Sequence, residues 1–180
     1  MTAAASLFEV VLAVHIMAVV VAFGVTFAYP LMFSVTARVA PESLPLMHRI
    51  EYTIERMLIN PGLLVVVAAG IYLASKGHFW SDFFVQWGLA AAIAIGALVG
   101  AVMIPTAKRA EQVAARDLAG VQASVAVGAG GEGAGAGGAA AAVEMSGEYQ
   151  ALVRRLQVVG TLLSLLVLVT IFFMALNVSL

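Results

Sequence analysis

The chain has 180 residues, of which 63% are hydrophobic and 11% are charged. Ordinary globular proteins contain about 25% charged residues, so this composition excludes a typical water-soluble domain. Nine basic and ten acidic residues give a net charge of −1, which argues against nucleic-acid binding because that function requires a basic surface. The chain contains no cysteine, which excludes disulfides, thiolate metal sites and cysteine nucleophiles. The composition indicates an integral membrane protein.

Four segments are apolar and long enough to cross a bilayer, which takes about 20 residues of helix. They cover residues 8–34, 57–74, 83–106 and 156–178. None shows the alternating pattern of a membrane β-barrel strand. The first is expected to be a retained span rather than a signal peptide, because no Lys or Arg precedes Arg38. The sequence therefore predicts a single domain, residues 1–180, folded as an all-α bundle of four transmembrane helices.

The basic residues predict the orientation of these helices. Eight of the nine lie in the connections between spans one and two and between spans three and four, whereas only Lys76 lies between spans two and three. By the positive-inside rule the two basic connections face the cytoplasm and both termini lie outside. We therefore expect a multi-pass protein of the bacterial cytoplasmic membrane.

Polar sequence and proline mark the cytoplasmic ends of the spans. Residues 41–60 predict a helix leading into span two, with His48 as a solvated residue and Asn60-Pro61-Gly62 as a kink or break. Pro30 and Pro105 mark similar breaks in spans one and three, although proline is common at helix ends in any case.

A long connection precedes span four. Helix is expected to continue after Pro105 to about residue 119. Residues 120–145 are then rich in glycine and alanine, which offer little surface to bury. They predict a flexible cytoplasmic linker.

Small residues recur every four positions in span three, at Gly88, Ala92, Gly96 and Gly100. Such a stripe allows helix backbones to approach closely, because lipid provides no hydrophobic drive for helix association. The spacing predicts a compact bundle. It leaves open whether the stripe packs within one chain or against a second copy.

The candidate functional residue within the spans is His15, because ionisable groups inside a membrane are costly. Imidazole is a common metal and haem ligand, so His15 is a candidate axial ligand of haem b, with Met174 or His78 as the second. The alternative is a structural histidine, hydrogen-bonded to Gln86, Tyr72 or a backbone carbonyl.

Other polar side chains are expected at a similar depth in the outer half of the bundle, namely Glu9, Tyr72 and Gln86. No catalytic residue is predicted. A catalytic zinc site needs several converging His, Asp or Glu ligands, and three scattered histidines do not supply them.

Two stretches resemble a superfamily of small bacterial membrane proteins that includes the copper-resistance D family and a membrane protoporphyrinogen oxidase. Residues 12–35, LAVHIMAVVVAFGVTFAYPLMFSV, share an early histidine (His15), a mid-span glycine (Gly24) and the aromatic-proline pair Tyr29-Pro30. Residues 54–74 share a basic residue, a proline five positions later and a Gly-x-aromatic-Leu pattern. The resemblance implies a four-span fold, and it matches His15 to a histidine implicated in haem binding in the oxidase.

The oxidase also has a lysine and a histidine in span three, whereas this chain has Gln86 near the lysine position and no lysine or histidine in the remainder of that span. The resemblance is therefore closer to uncharacterised four-span relatives, and the sequence favours a protein without catalysis of its own. Three functions are open: an accessory or structural membrane protein, a haem-binding redox protein, and a small oligomeric transporter or channel. Lipid is the expected surrounding, and a second copy or another membrane protein is a candidate partner.

Overall fold

The computed structural model describes residues 6–129 and 145–177, and every regular element in these two ranges is helical. These ranges contain seven α-helices, and short 3-10 or π-helical turns join the first six of them. They are α1 (Leu7–Gly24), α2 (Tyr29–Val39), α3 (Leu44–Ile54), α4 (Asn60–Gly77), α5 (Phe83–Leu98), α6 (Ile104–Ala129) and α7 (Gly147–Asn177).

Four continuous helical segments are long and apolar enough to span a membrane, which confirms the number of apolar helices predicted from the sequence. They run from Leu7 to Val39, from Pro41 to Gly77, from Phe83 to Ser124 and from Gly147 to Leu176. Each is longer than the corresponding predicted span, because polar helix is added at one end of the bundle. We call this the basic end, since its helices carry Arg49, Arg56, Lys108, Arg109, Arg154 and Arg155.

The helix expected over residues 41–60 is present as a 3-10 turn, α3 and a π-helical turn that leads directly into α4. At the other polar connection, α6 continues to Ala129 and thus includes the first ten residues of the predicted linker. Residues 120–127 hold no proline and only one glycine, so the backbone hydrogen bonds of α6 extend without a strong breaker. The rest of the predicted linker, residues 130–144, lies outside the described residues.

Two prolines predicted to interrupt the helices each follow a π-helical turn. The turn Glu55–Ile59 precedes Pro61, and the turn Val99–Met103 precedes Pro105. Proline lacks an amide hydrogen and its ring clashes with the carbonyl four residues earlier, so a locally widened turn accommodates it within a continuous helix. In the first segment a 3-10 turn, Val25–Phe27, similarly precedes Pro30.

Neighbouring helices approach closely at glycine. A Cβ atom built on Gly62 of α4 would lie 2.6 Å from the Cβ of Ala22 on α1. On α5, a Cβ atom on Gly88 would lie 2.5 Å from Met174 Cε of α7, and one on Gly96 would lie 3.1 Å from Leu63 Cδ2 of α4. The small-residue stripe of α5 therefore packs within the bundle at two of its positions.

The basic end is closed by further helix contacts. Helix α3 packs against α6, and α6 packs against α7. Three alanines of α6, Ala107, Ala110 and Ala114, are fully buried, which allows the neighbouring helices to approach closely. At the far end of the bundle, Trp87 Nε1 of α5 donates a hydrogen bond to Thr170 Oγ1 of α7 at 3.1 Å.

The contact between Gly62 and Ala22 predicts a cost for adding a single methyl group. Gly62→Ala should destabilise the bundle by about 1–3 kcal/mol, because the new methyl meets a side chain that cannot rotate away. Gly100→Ala is the matched control, since a Cβ atom there meets nothing within 4 Å. SDS-induced unfolding in detergent measures both variants, and equal stability of the two would contradict the proposed packing.

Candidate functional site

His15 lies buried between α1 and α4, with 8% of its surface exposed. Its Nδ1 donates a hydrogen bond to the carbonyl oxygen of Val66 at 3.0 Å. Gly70, one turn later on α4, provides the space for the ring, because a Cβ atom there would lie 3.4 Å from His15 Cε1. The structure thus gives His15 a backbone carbonyl as its partner, one of the alternatives open from the sequence.

The other polar residues predicted for the outer half of the bundle, Glu9, Tyr72 and Gln86, form no hydrogen bond with His15 in the described ranges. Glu9 forms a capping box with Ser6, whose backbone N donates to Glu9 Oε2 at 2.7 Å. Gln86 Nε2 donates to the carbonyl oxygen of Trp80 at 3.4 Å. Tyr72 is half-buried on α4. These contacts do not join the three residues to His15.

The two candidate second ligands lie elsewhere. Met174 packs on Gly88 at the contact between α5 and α7. His78 is exposed after the end of α4, in a left-handed conformation with φ of 59°. Among the described residues no contact joins His15 to Met174 or His78, so the structure does not bring the predicted pair of axial ligands together.

A different set of polar side chains is buried near the basic end. His48 and Glu51 of α3 are 1% and 3% exposed, and Glu55 of the adjoining π turn is 1% exposed. The expectation that His48 is solvated is therefore wrong. Its helix packs against the alanine-rich face of α6, and this contact turns the face that carries His48 towards the interior.

These buried groups form a hydrogen-bonded chain between two helices. His48 Nδ1 donates to Glu51 Oε2 at 3.1 Å, and His48 Nε2 shares a hydrogen bond with the hydroxyl of Tyr149 at 3.0 Å. In the neutral ring with its proton on Nδ1, the Tyr149 hydroxyl is the donor to Nε2. Phe33 covers the imidazole, with ring centroids 4.7 Å apart. Both nitrogens of His48 are thus engaged.

Charged contacts join the residues next to Tyr149 to α6. Glu148, the preceding residue of α7, accepts hydrogen bonds from Arg109 at 2.8 and 3.2 Å and from Arg116 at 3.2 Å. Asp117 Oδ2 accepts a hydrogen bond from the backbone N of Ser146 at 2.9 Å. The first turn of α7 is therefore tied to α6, next to the histidine that Tyr149 contacts.

A cavity of about 510 Å³ adjoins the buried polar groups. Its wall is mostly apolar and is formed by the α1–α2 junction, both π turns and the middle of α7. Two polar atoms in this wall, Glu55 Oε2 and the hydroxyl oxygen of Tyr29, are buried without a hydrogen-bond partner among the described residues. Buried polar groups in proteins are nearly always satisfied by protein atoms or ordered water, so these two atoms are exceptions in the wall of the cavity.

The buried residues of this segment follow a pattern visible in the sequence. Leu44, His48, Glu51, Glu55 and Ile59 are all buried, at spacings of four, three, four and four residues. This is the spacing of one helix face. Leu44 and Ile59, the apolar residues at the two ends of this face, could have indicated from the sequence that the polar residues between them are also buried.

Comparisons with family models, with curated proteins and with solved structures give no match to this chain. The resemblance of residues 12–35 and 54–74 to the copper-resistance D and protoporphyrinogen oxidase superfamily stays a prediction. No group of three His, Asp or Glu side chains that could hold a metal ion occurs in the part of the chain that the structure describes.

The hydrogen bond between Tyr149 and His48 predicts a stability effect. Tyr149→Phe should cost about 1–3 kcal/mol, because it leaves a buried ring nitrogen without a partner. Tyr52→Phe is the control, since Tyr52 contacts Lys108 through its ring, with Nζ 5.5 Å from the centroid. The free energy of unfolding in detergent tests this pair, and a loss no larger for Tyr149→Phe would argue against the buried network.

Proposed function

We propose that the chain is a small accessory protein of the bacterial cytoplasmic membrane that acts by binding rather than by catalysis. It holds a small amphipathic molecule in the cavity near the basic end. The observation that carries this proposal is the pair of unsatisfied buried atoms, Glu55 Oε2 and the Tyr29 hydroxyl, in the wall of an otherwise apolar cavity.

The surface of the bundle supports the membrane location. Large apolar side chains are exposed on all four long segments, among them Leu31 at 68%, Met57 at 73%, Leu64 at 72%, Ile93 at 66% and Phe172 at 60%. A folded protein in water rarely exposes apolar area this extensive, whereas lipid covers it without cost. The positive-inside rule then places the basic end in the cytoplasm and both termini outside.

The cavity has the properties of a ligand site. Its volume of about 510 Å³ falls in the range of small-molecule pockets, roughly 300–1,000 Å³. Such pockets combine apolar walls with a few polar groups that orient the ligand. Here Glu55 and Tyr29 are the candidates for orienting contacts.

The hydrogen bonds of the buried network support a structural role for His48. Both ring nitrogens of His48 are already engaged, by Glu51 and by Tyr149. We therefore assign this network to holding α3 and α7 together beside the cavity.

Filling the cavity should remove the bound molecule. Gly160 lies in the cavity wall, and a Cβ atom there meets nothing within 4 Å, so Gly160→Phe adds a ring to the cavity without a backbone clash. Gly24→Phe is the control, because Gly24 is exposed and also has open space. Native mass spectrometry of protein extracted in lipid discs should show a small-molecule adduct on the unmodified chain and on Gly24→Phe only. A chain without an adduct, or one retained in Gly160→Phe, would disprove the proposal.

Haem binding at His15 is a second candidate function, favoured by one contact. Donation from Nδ1 to the Val66 carbonyl leaves the lone pair of the neutral ring on Nε2, and ligand histidines are commonly oriented in this way. Haem would supply redox chemistry when bound. Because neither Met174 nor His78 contacts His15 among the described residues, the predicted set would supply one haem ligand at this position, His15 itself.

An absorption spectrum distinguishes this candidate. Protein from haem-replete cells should show a Soret band that shifts on reduction with dithionite and is absent from His15→Ala. His78→Ala and Met174→Ala, recorded beside it, show whether either side chain is a second ligand. A featureless spectrum from folded protein would exclude haem ligation by His15.

A further inference from the structure

We infer that the cavity selects an organic cation, with an ammonium-type head near Glu55 and Tyr29 and an apolar body along α7. The inference rests on the proposed function of the cavity as a ligand site, and it specifies the chemical class of the ligand.

The charge around the cavity is the first reason. Glu51 and Glu55 lie one helical turn apart, and both line the cavity. Glu51 has His48 as its partner, whereas Glu55 Oε2 has none. Ion pairs with arginine or lysine in the described ranges involve other acids, Asp117 and Glu148, at the end of the bundle. A ligand that carries positive charge would supply the partner that the protein does not.

The aromatic part of the cavity wall is the second reason. Four aromatic side chains, Phe23, Phe27, Tyr29 and Phe33, line the cavity on the α1–α2 side. The faces of aromatic rings attract cations, and cages of such rings recognise quaternary ammonium groups. A carboxyl group beside several aromatic rings is a combination that suits an organic ammonium and does not suit an anion.

A bare metal ion fits this environment less well. Calcium takes six to eight oxygen ligands, and magnesium requires an octahedral shell that it often completes with water. The cavity wall carries two unsatisfied oxygens in a mostly apolar surface, and the described residues hold no cluster of three metal-ligating side chains. The cavity volume instead accommodates a ligand with an apolar body.

The absence of cysteine from the chain allows a direct test of binding. Ser164 lies in the cavity wall on α7, so Ser164→Cys introduces a single thiol there. In lipid discs we would measure the rate at which methyl methanethiosulfonate modifies this thiol. Phenyltrimethylammonium and benzenesulfonate, two soluble probes of similar size and opposite charge, are compared as protecting ligands.

The expected result is protection by phenyltrimethylammonium and none by benzenesulfonate. Adding Glu55→Gln should weaken the protection by about tenfold or more, because it removes a desolvated charge partner. Adding Glu42→Gln should leave it unchanged, since Glu42 is an exposed acid on the turn before α3. The labelling rate without ligand and the size-exclusion profile check the fold of each variant.

Three results would overturn the inference: equal protection by both probes, protection by neither, or undiminished protection in Glu55→Gln. The comparison of the two probes does not depend on the folding of Glu55→Gln. If the inference fails while Gly160→Phe still removes a native adduct, the cavity binds a ligand of another class and the proposed function stands. If no adduct is found either, both proposals fail.

Discussion

The basic end of the molecule depends on one constraint: three polar side chains are buried on one face of α3 and its adjoining π turn. Burial removes the hydrogen bonds of His48, Glu51 and Glu55 with water, and an unsatisfied buried polar or charged group is costly. Other groups of the protein must therefore replace these hydrogen bonds. Tyr149 supplies one partner, and the adjacent Glu148 forms ion pairs with Arg109 and Arg116 of α6. The fully buried alanines of α6 bring the helices close enough for these bonds to form. Of these three side chains Glu55 is the one left with an unsatisfied oxygen among the described residues, and it lines the cavity.

The two π turns connect the prolines of the sequence to this cavity. Each turn contributes residues to the wall, Glu55 and Ile59 from one and Val99 and Met103 from the other. A π turn inserts one extra residue into a helical turn and so shifts the side chains that follow relative to a regular helix. The prolines that require the widened turns therefore also help to determine which side chains face the cavity. Such turns are frequent at functional sites, in agreement with the proposed binding role.

Much of the fold could be predicted from the sequence, because long apolar helices have a strong local signal. The four apolar segments, the polar helix before span two and the local irregularities near Pro30, Pro61 and Pro105 are all present. The predicted packing of small residues is found at Gly88 and Gly96. The extension of α6 to Ala129 was missed, because alanine and valine are compatible with helix even in a sequence that resembles a linker.

The site was harder to predict, since it depends on contacts between distant parts of the chain. His48 and Tyr149 are separated by 101 positions, and no local pattern indicates that they meet. Charged neighbours such as Arg49 suggested a solvated helix, although the spacing places His48 on the same buried face as Leu44 and Ile59. The position of His15 within span one was predictable. Its partner Val66 was not, because a backbone carbonyl has no signature in the sequence.

The last helix is held at both of its ends by contacts with residues that precede the long connection. Near the basic end these are the bonds of Glu148 and Tyr149, and near the far end they are the bond from Trp87 to Thr170 and the contact of Met174 with Gly88. Non-covalent contacts with α3, α5 and α6 thus fix the register of α7 near both of its ends. As a consequence, we expect a separately made fourth helix to associate with the remainder of the bundle through these same contacts.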